Sequence, residues 1–126
     1  MLKKSALVLS LALTCVSGLA LADAPTKVGD SALGKVLVDS KGLTLYTFTK
    51  DSAGKSACNG QCAQNWPPLA AGPYAKAADG YSVITRDDGS KQWAYKDQPL
   101  YGWVKDQKPG DTTGEGVGQV WHVAKP

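Results

Sequence analysis

Along this chain apolar and polar positions alternate with a period of two, the signature of half-buried strands. Tyr46, Phe48 and Lys50 fall on one face of an extended segment, and Leu45, Thr47 and Thr49 fall on the other. The stretch from Leu100 repeats the arrangement, with Tyr101 and Trp103 set against Leu100, Gly102 and Val104. "YSVITR" and "KQWAY" flank Asp87-Asp88-Gly89-Ser90, a hairpin signal because Asp-Gly tolerates positive φ. "QVWHVA" predicts a last strand, with Val120, His122 and Ala124 on one face and Gln119, Trp121 and Val123 on the other. Gly and Pro interrupt almost every ten-residue window after the first two dozen residues, so no helix is expected there. About six strands joined by short turns predict an antiparallel all-β domain, either a small sandwich or a partly open barrel.

The chain also repeats itself. Sliding it by fifty-five positions lays Leu45 on Leu100, Tyr46 on Tyr101, Phe48 on Trp103, Lys50 on Lys105 and Asp51 on Asp106, and without a gap it lays Trp66 on Trp121. Upstream, "KVLVDSKGLTLYTF" lies over "SKQWAYKDQPLYGW", and both read as strand, turn, strand. Asp39-Ser40-Lys41-Gly42 supplies the first turn and Lys96-Asp97-Gln98-Pro99 the second. The expected architecture is two copies of one β unit, over about 33–72 and about 81–126, with approximate twofold internal symmetry.

Residues 1–22 stand apart from that domain. Lys3 and Lys4 precede an uncharged Leu-, Ala- and Val-rich stretch that ends in Ala20-Leu21-Ala22, the pattern of a secretory signal peptide. The stretch is short for a membrane span and includes Ser10, Thr14, Ser17 and Gly18. The mature chain is then 23–126, a single domain, with no transmembrane span expected after signal removal. Without Lys3 and Lys4, twelve basic residues face eleven acidic ones, interspersed and without runs of like sign. That balance gives no support to nucleic acid as a partner. Of three cysteines only Cys58 and Cys62 remain, an even count that suggests a disulfide in an oxidising compartment. Closing so short a loop would contribute about 2 kcal/mol through the unfolded chain.

Taken together, the doubled Tyr-x-aromatic-x-x-Asp, the Cys pair, Trp66-Pro67-Pro68-Leu69 and Trp121-His122-Val123 resemble the bacterial secreted-repeat family, described as predicted lipoproteins with a Yx(F/W/Y)xxD motif. The resemblance implies an exported bacterial protein, periplasmic or secreted, in a family whose function is unassigned. It offers no catalytic residue. Lipid attachment is not expected here, because Cys15 follows Ala12-Leu13-Thr14, a poor match to a lipid-attachment site.

The candidate chemistry is sparse. Tyr46, Phe48, Asp51 and Trp66, with Tyr101, Trp103, Asp106 and Trp121, are expected to be mainly structural: aromatics filling a small core, and each Asp closing a turn by accepting backbone N–H bonds. The functional reading of the same residues is a pair of surfaces that stack on sugar rings or aromatic ligands. Cys58 and Cys62 suit a structural disulfide, a redox couple or part of a metal site. In its metal form, Cys58, Cys62 and His122, the only histidine, would hold Cu(I) through soft ligands. No cofactor is otherwise expected. No nucleophile elbow or H-E-x-x-H is present, and "GDTTGEGVG" lacks the Lys and the helix of a phosphate loop. The sequence therefore reads as an exported non-catalytic module that binds an unidentified ligand or envelope protein, with a redox or copper-handling protein as the alternative.

Overall fold

A computed structural model describes residues 25–126, so the expected signal peptide and Cys15 lie outside the described residues. The elements in chain order are β1 (Lys27–Ser31), β2 (Gly34–Val38), β3 (Tyr46–Phe48), the short helix α1 (Gln61–Asn65), β4 (Tyr81–Thr85), β5 (Lys91–Tyr95), β6 (Gln98–Pro99) and β7 (Trp121–Val123). All pairings between them are antiparallel: β1 with β2, β3 with β7, β4 with β5, and β5 with β6. The described residues form a nearly all-β domain with no closed barrel, and the two units fit a small sandwich. No helix among them is long and apolar enough to cross a membrane.

Local chemistry sets the turns. Asp39 accepts from the N–H groups of Lys41 and Leu43 at 2.9 and 3.0 Å, closing the turn after β2. Between β5 and β6 the turn is two residues, Lys96 and Asp97, at φ 51° and 67°. Paired positive φ values match the right-handed twist of the flanking strands. Gly89, at φ 88°, takes the position that Asp87-Asp88-Gly89-Ser90 reserved for it in the β4–β5 hairpin.

The repeats interlock at their centre. Tyr46 and Tyr101 exchange backbone bonds, N–H to carbonyl, at 2.8 and 3.0 Å. On one side of that pair Leu45 N–H donates to Leu37 O, Leu37 N–H to Ala124 O, and Ala124 N–H to Leu45 O, a closed ring of three bonds. On the other side Leu100, Trp93 and Leu69 form the same ring in the same order. Each ring joins two segments of one repeat to the end segment of the other. Neither repeat can therefore satisfy its own central backbone.

Side chains from these segments bury both faces. Tyr46, Tyr101, Trp66, Trp121, Val36, Val38 and Val123 pack with Cys58 into an aromatic cluster. Leu37, Leu45, Leu100 and Ala124 form an aliphatic cluster from the alternate positions.

Four local expectations change. The helix α1 exists because Gln61-Cys62-Ala63-Gln64-Asn65 is a Gly- and Pro-free island, too short for a ten-residue window to resolve. The last strand is shorter than "QVWHVA", since Gln119 sits at φ 63° in a 3₁₀ turn over Val117–Gln119. The strand β1 lies ahead of position 33 and pairs with β2 along its whole length. Finally, the ungapped overlay slips by one residue upstream of the turns. The three-bond rings equate Leu37 with Trp93, not Gln92, because the two-residue Lys96-Asp97 turn is shorter than its counterpart.

Separating the repeats tests this interlock. Fragments 25–75 and 76–126 are each expected to be unfolded by far-UV circular dichroism, and mixing them is expected to restore β structure. A fragment that folds alone would contradict the shared closure.

Candidate functional site

The two Tyr-x-aromatic-x-x-Asp motifs meet across the repeats. Tyr46 donates its hydroxyl proton to Asp106 at 2.6 Å, and Tyr101 donates to Asp51 at 2.6 Å. Each carboxylate also fixes a loop of its own repeat. Asp51 accepts from Ala57 N–H at 2.7 Å, and Asp106 accepts from Thr113 N–H and hydroxyl at 3.0 and 2.7 Å. These are loop-spanning bonds, six and seven residues long, rather than local Asx turns. Because both tyrosines are fully buried, neither presents a ring to a ligand.

The aromatic residues form one stack. Phe48 lies on Trp121 at 4.2 Å between centroids, Trp121 on Trp66 at 3.8 Å, and Trp66 on Trp103 at 3.9 Å. The central indoles are parallel within 2°. Tyr46 meets Trp66 edge-on and Tyr101 meets Trp121 edge-on, at 5.4 and 5.1 Å. Edge contacts of this kind are a favoured arrangement of ring quadrupoles. The inner pair is buried, and Phe48 and Trp103 at the ends are half-buried.

The copies differ around the tyrosine hydroxyls. Beside Tyr101, Ser56 Oγ lies at 2.7 Å, and Arg86 donates to Ser56 Oγ, Gln92 Oε1 and Cys58 O at 2.9, 2.7 and 2.6 Å. Arg86 thus reaches from the β4–β5 hairpin into the loop bridged by Cys58–Cys62, where S–S is 2.09 Å. The buried guanidinium is satisfied by these three neutral acceptors, and the Asp51 carboxylate lies close enough to feel its charge. Beside Tyr46, Gly114 N–H donates to the hydroxyl at 3.1 Å. A Cβ on Gly114 would meet Trp66 at 2.8 Å and Tyr46 at 2.9 Å, so this glycine of "GDTTGEGVG" permits close packing.

His122 lies elsewhere in the arrangement. Its exposed ring meets Glu115 at 2.8 Å through Nδ1, and Glu115 also accepts from Val123 N–H. Among the described residues, no group of three or more His, Cys, Asp or Glu is placed to hold a metal ion, and the structure does not bring His122 together with the two sulfurs as such a group. Arg86 and Gln92 were missed by sequence reasoning. The usable signal was that Arg86 is the only arginine beside thirteen lysines.

Two grooves open where a strand end of one repeat faces a turn of the other. One, of about 260 Å³, runs between Trp103, Val104 and Asp106 on one side and Leu43, Pro67 and Pro68 on the other. Its twofold counterpart, of about 210 Å³, runs from Phe48 and Asp51 to Lys96, Asp97 and Pro99. Their walls differ in balance: the first, which includes Asp39 and Asp106, is otherwise mostly proline, leucine and indole, and the second gathers Asp51, Lys96 and Asp97. Trp103 Nε1 is buried and has no hydrogen-bond partner, the only such side-chain atom among the described residues.

A family model described as a secreted repeat of unknown function matches residues 27–70 and again 82–125. No curated protein and no solved structure matches the chain.

Burial raises the Tyr46 phenol above its ordinary value of 10.0, and the Asp106 carboxylate adds to the shift. Burial and Asp51 do the same to Tyr101. Asp51 is itself raised by burial, against the opposing bonds from Tyr101 and Ala57 and the charge of Arg86. The unfolded chain ionises its phenols from pH 10 upward while the fold holds these two neutral. Their contribution is thus present below pH 10 and lost above it, by up to about 1.4 kcal/mol per pH unit for each tyrosine. Urea unfolding between pH 9 and 11 is expected to show this fall, and the fall is expected to be shallower in Tyr101→Phe. Equal slopes in the two proteins would contradict the assignment.

Proposed function

Because the chain belongs to the secreted-repeat family of unknown function, we propose that it serves as an exported, non-catalytic binding module of the bacterial envelope or periplasm. The groove beside Trp103 is its recognition surface. What supports this reading is the inequality of two grooves that the repeat would otherwise make alike. The tyrosines and the paired indoles are buried in holding the repeats together, which leaves their rings no free face for a ligand. The Trp103 groove retains a half-buried indole, two prolines and three leucines, facing a volume suited to one ring or one small side chain. Val104 stands at its rim, 52 % exposed.

The partner is a small ligand, or a segment of an envelope protein, that presents a ring or compact apolar group. Such a site binds through exclusion of water from its walls, about 25 cal/mol for each Å² of apolar surface removed.

Nuclear magnetic resonance titration of the ¹⁵N-labelled protein with benzamide, cyclohexanol and N-acetylglucosamine tests the reading. At least one probe is expected to shift the amides of Leu43, Gly102 and Val104, and Val104→Glu is expected to weaken it about tenfold without changing the melting temperature. Shifts confined to the Phe48 groove, or none at the Trp103 groove, would overturn it.

A further inference from the structure

The aromatic stack has a property that packing does not require: it runs from one half-buried ring to another through a buried pair, and a phenol hydrogen-bonded to a carboxylate stands edge-on to each member of that pair. Trp103, Trp66 and Trp121 succeed one another at 3.9 and 3.8 Å. Edge-on to Trp66 is Tyr46, whose hydroxyl proton points at the Asp106 carboxylate, 2.6 Å away. Edge-on to Trp121 is Tyr101, with Asp51 at the same distance. Indole is among the most readily oxidised side chains, and phenol loses an electron easily only when its proton can leave at the same time. Transfer to a carboxylate within hydrogen-bond reach meets that condition.

We propose that the stack is a one-electron relay that carries oxidising equivalents from Trp103 to Tyr46 and Tyr101. An external one-electron oxidant, an inorganic radical or a high-valent metal–oxo centre, takes one electron from Trp103 and leaves an indole radical cation. An electron from Trp66, and then from Trp121, refills each ring in turn and moves the vacancy inward. Tyr46 gives an electron to Trp66, or Tyr101 gives one to Trp121. In the same step the phenolic proton passes to Asp106 or Asp51, so the products are a neutral phenoxyl radical and a carboxylic acid. An external one-electron donor reverses the sequence, and the proton returns to the phenol.

Three features of the structure fit the direction of flow. Entry is at Trp103, because the opposite end of the stack is Phe48, whose ring is far harder to oxidise. The end point is buried, since both tyrosines have no exposed surface and a phenoxyl radical there is shielded from solvent. The phenols remain protonated throughout the physiological range, because burial and the adjacent carboxylates raise them. The oxidised form therefore arises only with proton transfer, and that makes the aspartates part of the reaction.

Pulse radiolysis with the azide radical, which oxidises indole, provides the test on the intact purified protein. The indole radical absorption is expected to decay as phenoxyl absorption rises, with a rate independent of protein concentration. In Tyr46→Phe/Tyr101→Phe the rise is expected to slow about tenfold or vanish, and Asp51→Asn/Asp106→Asn, which keeps an acceptor oxygen but not a base, is expected to slow it about tenfold. The exciton couplet of the stacked indoles in circular dichroism verifies that each variant is folded. Should either variant fail to fold, the wild type in heavy water decides, because proton-coupled transfer must slow there. Phenoxyl formed at the wild-type rate in the double phenylalanine variant would place it on Tyr74, Tyr81 or Tyr95 and overturn the proposal. So would a rate indifferent to heavy water.

Discussion

Everything in this domain depends on an exchange: each repeat's tyrosine is completed by the other repeat's aspartate. The exchange is possible because the Tyr46 and Tyr101 backbones pair with each other at the centre. That pairing fixes where the hydroxyls fall, 2.6 Å from Asp106 and Asp51. The aspartates in turn fix the loops that carry Ser56 and Gly114 against the same hydroxyls. A buried phenol without an acceptor would cost about 1–3 kcal/mol, and a buried carboxylate without donors would cost more. Each half of the motif therefore makes the burial of the other half tolerable.

The same exchange explains why the duplicated tyrosines present no pair of exposed ring faces. Of the residues that recur at equal spacing, Tyr46, Tyr101, Trp66 and Trp121 are buried against each other at the centre and leave no ring face open to a ligand. What the symmetry does not constrain has diverged. Arg86 and the Cys58–Cys62 bridge hold one loop from outside, whereas a glycine packed on Trp66 holds the other from within. Trp103 and Phe48 occupy equivalent places, yet one ends in a groove of proline and leucine and the other beside Lys96 and Asp97. The asymmetric ends are where binding and electron entry are proposed, and the symmetric centre is where the oxidised state would reside.

Much of this was legible from the residues alone. The period-two alternation, the fifty-five-residue offset and the Asp-Gly hairpin pointed to a duplicated antiparallel fold with Trp66 equivalent to Trp121. Periodicity works here because a strand buried on one face must alternate. It could not reveal that Tyr46 bonds Asp106 rather than a group nearby, since a side-chain bond across 60 residues leaves no local pattern. Turn length was equally hidden. Lys96 is an unusual residue for positive φ, so the one-residue slip between the repeats showed only in the bonds of Leu37 and Trp93. Gln92 is polar yet fully buried, and its amide bridges Arg86 and the Leu100 carbonyl, a long-range pairing that alternation does not register.

A double-mutant cycle on Tyr46→Phe and Asp106→Asn, compared with one on Tyr46→Phe and Asp51→Asn, tests the exchanged lock most directly. Urea unfolding of the first set is expected to give a coupling of about 1–3 kcal/mol, and the second set is expected to be additive within about 0.5 kcal/mol. Coupling between Tyr46 and Asp51, with additivity between Tyr46 and Asp106, would mean that each motif closes on itself and would contradict the account.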